Sequence, residues 1–345
     1  MTNAPLRYPF GDAPAAGTVT PISEGILWVR IPLPMRLDHV NCYALRDADG
    51  WTIVDTGFDT SKTRAIWADV IATHMGDAPL ARVLVTHHHP DHIGLAGWMV
   101  ATYGAELLTT RTAYLMARML LLDEQEKAPN ETLAFWRSAG MDAKIYARRA
   151  SERPFNMADV VHPLPLGYRR LQEGQTLTLA GQSWHIRMGN GHAPEHATLW
   201  SDDGKIVLGG DQLIASISPN IGVHATEPEA DPLAEWLEAC ERLQAFATDD
   251  QIVLSGHKLP FTGLPTRMRQ LIDNHHSALT RLEKFLATPR TAVECFPNLF
   301  KRPIGDGEYG LAMVESMAHV NHLFHAGRIT RSPRDDGAYL WQSKA

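Results

Sequence analysis

Between residues 86 and 92 the chain reads Thr86-His87-His88-His89-Pro90-Asp91-His92, which puts four imidazoles and a carboxylate into six positions. The segment follows directly on the apolar run Ala81 to Val85, a short buried strand. A strand that ends in a tight turn fixes its backbone. Alternate residues such as His87 and His89 can then aim at one point, with Asp91 and His92, further round the turn, aimed at a neighbouring one. That geometry suits two adjacent metal ions. A zinc site takes about four ligands at roughly 2.0–2.2 Å, and a catalytic one keeps a position for water, so two ions need more donors than this segment holds.

Three later segments share the same context, a short apolar strand running into a glycine-rich turn. They carry His192 in Gly189-Asn190-Gly191-His192, Asp211 in Val207-Leu208-Gly209-Gly210-Asp211, and His257 in Val253-Leu254-Ser255-Gly256-His257. Glycine at these turns lets the backbone approach a metal without side-chain obstruction. The three cysteines, Cys42, Cys240 and Cys295, are scattered and odd in number, so neither a disulfide framework nor a thiolate knuckle is available. Any metal is therefore held by nitrogen and oxygen, and the three thiols read as small apolar core residues.

Around these segments the pattern is mixed α/β. Ile26 to Ile31, Val40 to Leu45 and Trp51 to Val54 read as an antiparallel meander, and Ser61 to Met75 as a helix ending at Gly76. Helical patterns at Thr112 to Leu122 and Glu131 to Ala139 suggest a helical insertion over about 110–165. Strands resume at Gln175 to Leu179, Trp184 to Met188, Thr198 to Ser201 and Lys205 to Leu208, then a helix at Pro232 to Phe246 and a strand at Gln251 to Leu254. After about Thr266 the chain turns mostly helical, Arg267 to Leu286 and Gly310 to Ala326, with a hairpin at Arg328 to Trp341. A length of 345 residues suits two domains, which the pattern places at 1–265 and 266–345.

With these pieces in order, the sequence resembles the metallo-β-lactamase superfamily, whose mark is H-x-H-x-D-H followed by a later His, an Asp and a final His. The segment Val54-Asp55-Thr56-Gly57 matches the family's Asp-x-Gly turn, and the resemblance extends over about residues 20–265. It implies a four-layer αββα sandwich. It also implies one metal on His87, His89 and His192, another on Asp91, His92 and His257, and Asp211 bridging the two. A metal-bridging hydroxide would be the nucleophile, oriented by the catalytic Asp91. His at position 89 favours two zinc ions, with Mn or Fe as alternatives. The tail, through His322-Leu323-Phe324-His325 to Gly337-Ala338-Tyr339-Leu340-Trp341, looks like the winged-helix extension of some β-lactamase-like hydrolases.

The resemblance to the glyoxalase II-like branch implies hydrolysis of a thioester, of acyl-CoA or acyl-glutathione type, or of an ester or lactone. The partner would be a small acyl molecule. The rival reading is a metal-dependent RNA phosphodiesterase, since the superfamily includes RNA nucleases. The net charge of −7 argues against nucleic acid, and the tail's +3, 11 Lys plus Arg against 8 Asp plus Glu, is spread out rather than gathered into a stripe. Met1 to Gly17 has no apolar core of a signal peptide and no apolar stretch approaches about 18 residues, so the expectation is a cytoplasmic protein with no membrane partner. A homodimer is left open.

The chain has 17 histidines, and most need no metal. His88, between two ligands, is expected to point away, and His196 to stand behind the ligands. Asp55 is expected to hydrogen-bond a ligating imidazole or the 87–92 turn. His275, His276, His319, His322 and His325 read as a helix face.

Overall fold

The computed structural model describes residues 5–344. Seven strands form one sheet in sequence order: β1 (Val19–Ser23), β2 (Ile26–Pro32), β3 (His39–Asp47), β4 (Gly50–Val54), β5 (Leu80–Leu84), β6 (Glu106–Thr110) and β7 (Arg169–Leu171). The first four run antiparallel, as the meander predicts, and β4 to β7 are parallel. Parallel neighbours need crossovers, supplied by α1 (Ser61–His74), the short α2 (Pro90–Ile93), α3 (Ala96–Tyr103) and α4 (Arg111–Leu122). Local chemistry starts these helices: Thr60 and Thr110 accept from the backbone N–H of Thr63 and Ala113, and Pro90 occupies the first turn of α2.

Two further helices, α5 (Asn130–Ser138) and α6 (Ala143–Ser151), precede β7, and after it comes the second sheet, β8 (Thr176–Leu179), β9 (Gln182–Gly189), β10 (His196–Ser201), β11 (Ile206–Gly210) and β12 (Ile252–Ser255), ordered β12-β11-β10-β9-β8. The remainder is α7 (Pro232–Gln244), α8 (Leu264–Phe285), α9 (Phe296–Phe300), α10 (Tyr309–His325) and the antiparallel hairpin β13 (Ile329–Pro333) with β14 (Tyr339–Ser343).

The chain divides into two compact units. The first takes the residues up to Glu124 with Asn156–Pro219 and Leu243–Arg267, and the second takes Gln125–Phe155, Asn220–Arg242 and the chain from Met268. The second unit therefore draws on more than residues 266–345. The expected insertion over 110–165 is not one body: α4 buries Ala113, Tyr114 and Ala117 in the core of the first unit, whereas α5 and α6 belong to the second. The sequence pattern also leaves out α6. It buries no residue, so it shows no apolar stripe, and its start is set by Asp142 accepting from Lys144 and Ile145 N–H.

Within the first unit two apolar layers hold the sheets. Trp28, Tyr43, Val54, Leu84 and Leu108 of the first sheet meet Trp184, Ile186, Leu199, Leu208 and Leu254 of the second. On the other face, Val29, Ile53, Val83 and Leu107 pack with Trp67, Val70 and Met99 of the helices. Strands β4 and β5 are covered on both faces, which is why they read as near-continuous apolar runs. The result is the mixed α/β layering expected, with the ends of β5, β9, β11 and β12 carrying the polar turns.

Candidate metal centre

Every residue of the 87–92 segment follows β5, His192 follows β9, Asp211 follows β11 and His257 follows β12. The two sheets meet here through backbone, with Ala197 N–H donating to the Thr86 carbonyl at 2.8 Å. Three sets of donor atoms converge: His87, His89 and His192; His87, His92 and Asp211; and Asp91, His92 and His257, the atoms of each set lying within 4.8 Å of one another. His88 is buried but belongs to none of them.

The spacing fits a cation. Donors at roughly 2.0–2.1 Å from one tetrahedral ion lie about 3.3–3.4 Å apart. His257 Nε2 is 3.3 Å from both Asp91 Oδ2 and Asp211 Oδ2, His92 Nε2 is 3.4 Å from Asp211 Oδ1, and His192 Nε2 is 3.5 Å from Asp211 Oδ2. His87 Nε2 and His89 Nδ1 stand 3.0 Å apart. Asp211 thus faces three histidines at once. Among the described residues, buried His92 Nε2 and Asp211 Oδ1 have no hydrogen-bond partner, an arrangement that is unfavourable unless a cation takes up both. The donor set of imidazole and carboxylate suits zinc, manganese or iron.

The electrostatics agree. Burial pushes the Asp211 carboxyl up, but His257 and His92 outweigh it and hold it well below the usual range. Burial lowers the His257 imidazole, yet Asp211 and Asp91 raise it to about 10. The two carboxylates here draw positive charge onto the site, which bound cations would supply in place of protons. His87 and His89, set among other imidazoles, are held well below the ordinary value by burial and stay neutral, the form that ligates.

A shell of fixed bonds aims these donors. Asp55 accepts from Thr86 N–H, from Thr86 Oγ1 and from His92 Nδ1, each at 2.8 Å, so it supports both the turn and an imidazole as expected. Its backbone is left-handed, φ 59°, a strained position for a non-glycine residue that these three bonds hold in place. His196 Nε2 accepts from Asp211 N–H at 3.1 Å and its ring stacks on His87 at 4.5 Å. Glu195 closes the His192 turn, donating its N–H to Asn190 Oδ1 and accepting from Thr112 N–H. Gly256 is obligatory: a Cβ there would lie 2.3 Å from Asp211 Oδ1.

Sequence reasoning missed the residues that hold His257. Its Nδ1 pairs with the His39 carbonyl at 2.7 Å, Asn41 Nδ2 donates to the carbonyls of Ser255 and Lys258, and the Tyr43 hydroxyl donates to Ser255 O. The signal was present: His39, Asn41 and Tyr43 alternate along β3, one polar face in an otherwise apolar strand. The histidines of α8 and α10 join none of the donor sets, but two of them are buried rather than on a solvated or half-buried helix face. His275 and His319 are buried with ring centroids 5.5 Å apart, and His322 pairs with Asp231. All three cysteines are free and buried.

Comparison with known proteins agrees with this geometry. Residues 35–257 match the metallo-beta-lactamase superfamily and residues 279–344 match the metallo-beta-lactamase-like C-terminal domain. The chain is 24% identical over 308 residues to the probable metallo-hydrolase YqjP of Bacillus subtilis, covering 87% of this chain and 92% of that protein. Among solved structures, a beta-lactamase domain protein from Burkholderia ambifaria is 34% identical with a TM-score of 0.91 over 98% of both chains. A metallo-beta-lactamase family protein from Thermus thermophilus is 25% identical with a TM-score of 0.78, over 94% of this chain and 100% of that one. The chain belongs to the metallo-beta-lactamase superfamily, and it carries a His/Asp cluster suited to divalent metal.

Proposed function

We propose that this chain is a binuclear metal-dependent hydrolase acting on an activated carbonyl, a thioester of acyl-CoA or acyl-glutathione type or an ester or lactone. The observation that carries the reading is the sharing of donors: His87 and His92 each belong to two of the three converging sets. Two cations would therefore lie side by side, one on His87, His89 and His192 and one on Asp91, His92 and His257, with Asp211 between them. When bound, such ions polarise a carbonyl oxygen and lower the pKa of water toward neutrality.

The remaining chemistry falls to the chain. Asp91 has the more open of the two donor carboxylates, its side chain 17% exposed against 8% for Asp211, and so can orient the attacking water and take up its proton. Asp55 accepts from His92 Nδ1 and thereby keeps Nε2 unprotonated and turned toward the centre. No helix among the described residues is long and apolar enough to cross a membrane. The tail we read as a winged-helix-like unit with a packing role.

The test is to purify the full chain loaded with zinc and assay thioesters, lactones and phosphodiesters beside an Asp91→Asn variant of equal metal content. Thioester hydrolysis that Asp91→Asn lowers by at least about 10²-fold supports the reading. Phosphodiester cleavage without thioester cleavage refutes it.

A further inference from the structure

A cavity of about 280 Å³ in the first unit is lined by Tyr8, Ala13, His39, Ser216, Lys258 and Leu259. It borders the metal centre: Lys258 follows His257 directly, and the rings of His39 and His257 stand 6.1 Å apart. Its volume is that of roughly nine waters at about 30 Å³ each, room for a short chain with a polar end.

Lys258 is unusual in two ways. Its backbone is left-handed, φ 65°, a conformation that residues with a side chain rarely adopt. Two bonds clamp it there: Lys258 N–H donates to His39 Nε2 at 3.0 Å and its carbonyl accepts from Asn41 Nδ2 at 2.7 Å. The same Asn41 and His39 hold His257, so the ligand and the lysine are positioned by one piece of scaffold. The second feature is charge. Lys258 is half-buried, and its ammonium makes no hydrogen bond or ion pair with any described residue. Asp38 is close enough to feel it, but that carboxylate is taken by His39 Nδ1 at 2.6 Å and Arg30 at 3.3 Å. A cation left unpaired at a cavity wall is free to pair with an anion brought to it. Tyr8 and Ser216 are further polar residues of the lining, and Ala13 and Leu259 are apolar ones. One ammonium balances one negative charge, which fits a carboxylate. A phosphate dianion would bring a second charge with no cation among the lining residues to meet it.

We propose that this cavity takes a carboxylate at the far end of the acyl group, held by the Lys258 ammonium, so that the substrates are ω-carboxyacyl thioesters or esters rather than simple fatty ones. This rests on the hydrolase reading, and the experiment separates the two. The zinc-loaded full chain is assayed with S-glutaryl- and S-valeryl-N-acetylcysteamine, which share thiol and carbon count and differ in the terminal carboxylate. The expected preference for the glutaryl compound is roughly 10- to 100-fold in kcat/KM, carried by KM, the range a hydrogen bond to a charged group provides. Lys258→Met brings the ratio close to 1, and Lys258→Arg keeps most of it. In parallel, glutarate and valerate are titrated calorimetrically into the same proteins, and glutarate binds more tightly through Lys258. If neither thioester, nor the corresponding glutaryl and valeryl esters, is cleaved while that Lys258-dependent preference for glutarate persists, the hydrolase reading fails and the subsite stands. Equal kcat/KM for both thioesters, a preference that survives in Lys258→Met, or equal binding of the two acids where nothing is cleaved overturns the subsite. Methyl phosphate binding more tightly than glutarate through Lys258 overturns the assignment to a carboxylate.

Discussion

Replacing Asp55 with Asn removes one charge and changes almost no volume, yet it should remove one of the two proposed cations. Asp55 is 2% exposed and accepts three bonds of 2.8 Å, one of them from His92 Nδ1. In the variant, one oxygen becomes an NH2 group. The surviving oxygen can still accept from Thr86 N–H, and the Thr86 hydroxyl can rotate to accept, but His92 Nδ1 now faces a donor. The imidazole must then carry its proton on Nε2, the atom that converges with Asp91 and His257. A protonated nitrogen cannot ligate, so the loss goes beyond one hydrogen bond. Supporting-residue substitutions at metal sites lower affinity about 10- to 100-fold, or roughly 1.4–2.7 kcal/mol, and a forced tautomer belongs at the upper end. Loss of charge-assisted bonds adds about 1.5–3 kcal/mol of destabilisation to the fold. Zinc titration by calorimetry, with metal content measured after dialysis, reads this directly. The wild type should hold two ions and Asp55→Asn one, at a zinc concentration that saturates the wild type. Two ions bound at wild-type affinity in Asp55→Asn would refute the tautomer argument.

Other outcomes follow from the same structure. Gly256→Ala places a methyl 2.3 Å from Asp211 Oδ1, so it should cost about 1–3 kcal/mol of stability and displace that carboxylate, visible as loss of metal at equal protein concentration. Chelator should lower the melting temperature and abolish hydrolysis, and zinc at about 100 times its Kd should restore about 2.7 kcal/mol; a melting curve indifferent to chelator would count against a structural contribution from the ions. Acid should destabilise the second unit. Burial lowers His275 to about 3 and His319 to about 4, so both bind protons more readily when unfolded, and their contribution, complete above about 6.5, is lost as pH falls. Burial raises Glu315 to about 7, which works with the opposite sign between about 4.5 and 7. Among these three groups the balance is one proton, a loss of about 1.4 kcal/mol per pH unit between pH 6.5 and 4.5 from them. Urea denaturation of the full chain across that range should show the slope, and His275→Gln should flatten it; an unchanged slope would show that His275 is not its source.

Much of the centre was legible in one dimension because its donors sit where strands end. His87, His89, Asp91 and His92 occupy one turn, and His192, Asp211 and His257 each follow an apolar run and a glycine. Period and punctuation, which sequence carries, marked all seven as candidates, and the family resemblance implied their grouping. The scaffold behind them was less legible. His39, Asn41 and Tyr43 lie more than 210 positions from the loop they hold, and no local pattern says which loop an alternating polar face will meet. The make-up of the second unit was less legible for a related reason. Residues 125–155 look like an insertion in the order of the chain, but compactness is decided by packing, and they pack with residues far downstream.

The sequence by itself determined the element types, the α/β class and the candidate metal donors, because these depend on residue chemistry and on spacings of a few residues. Tertiary structure decided the rest. It set which donors converge on one point, how Asp55 fixes the tautomer of His92, and that Lys258 stands unpaired beside His257. Those facts depend on distances between atoms remote in sequence, and only the packing of the two sheets brings them within reach of one another.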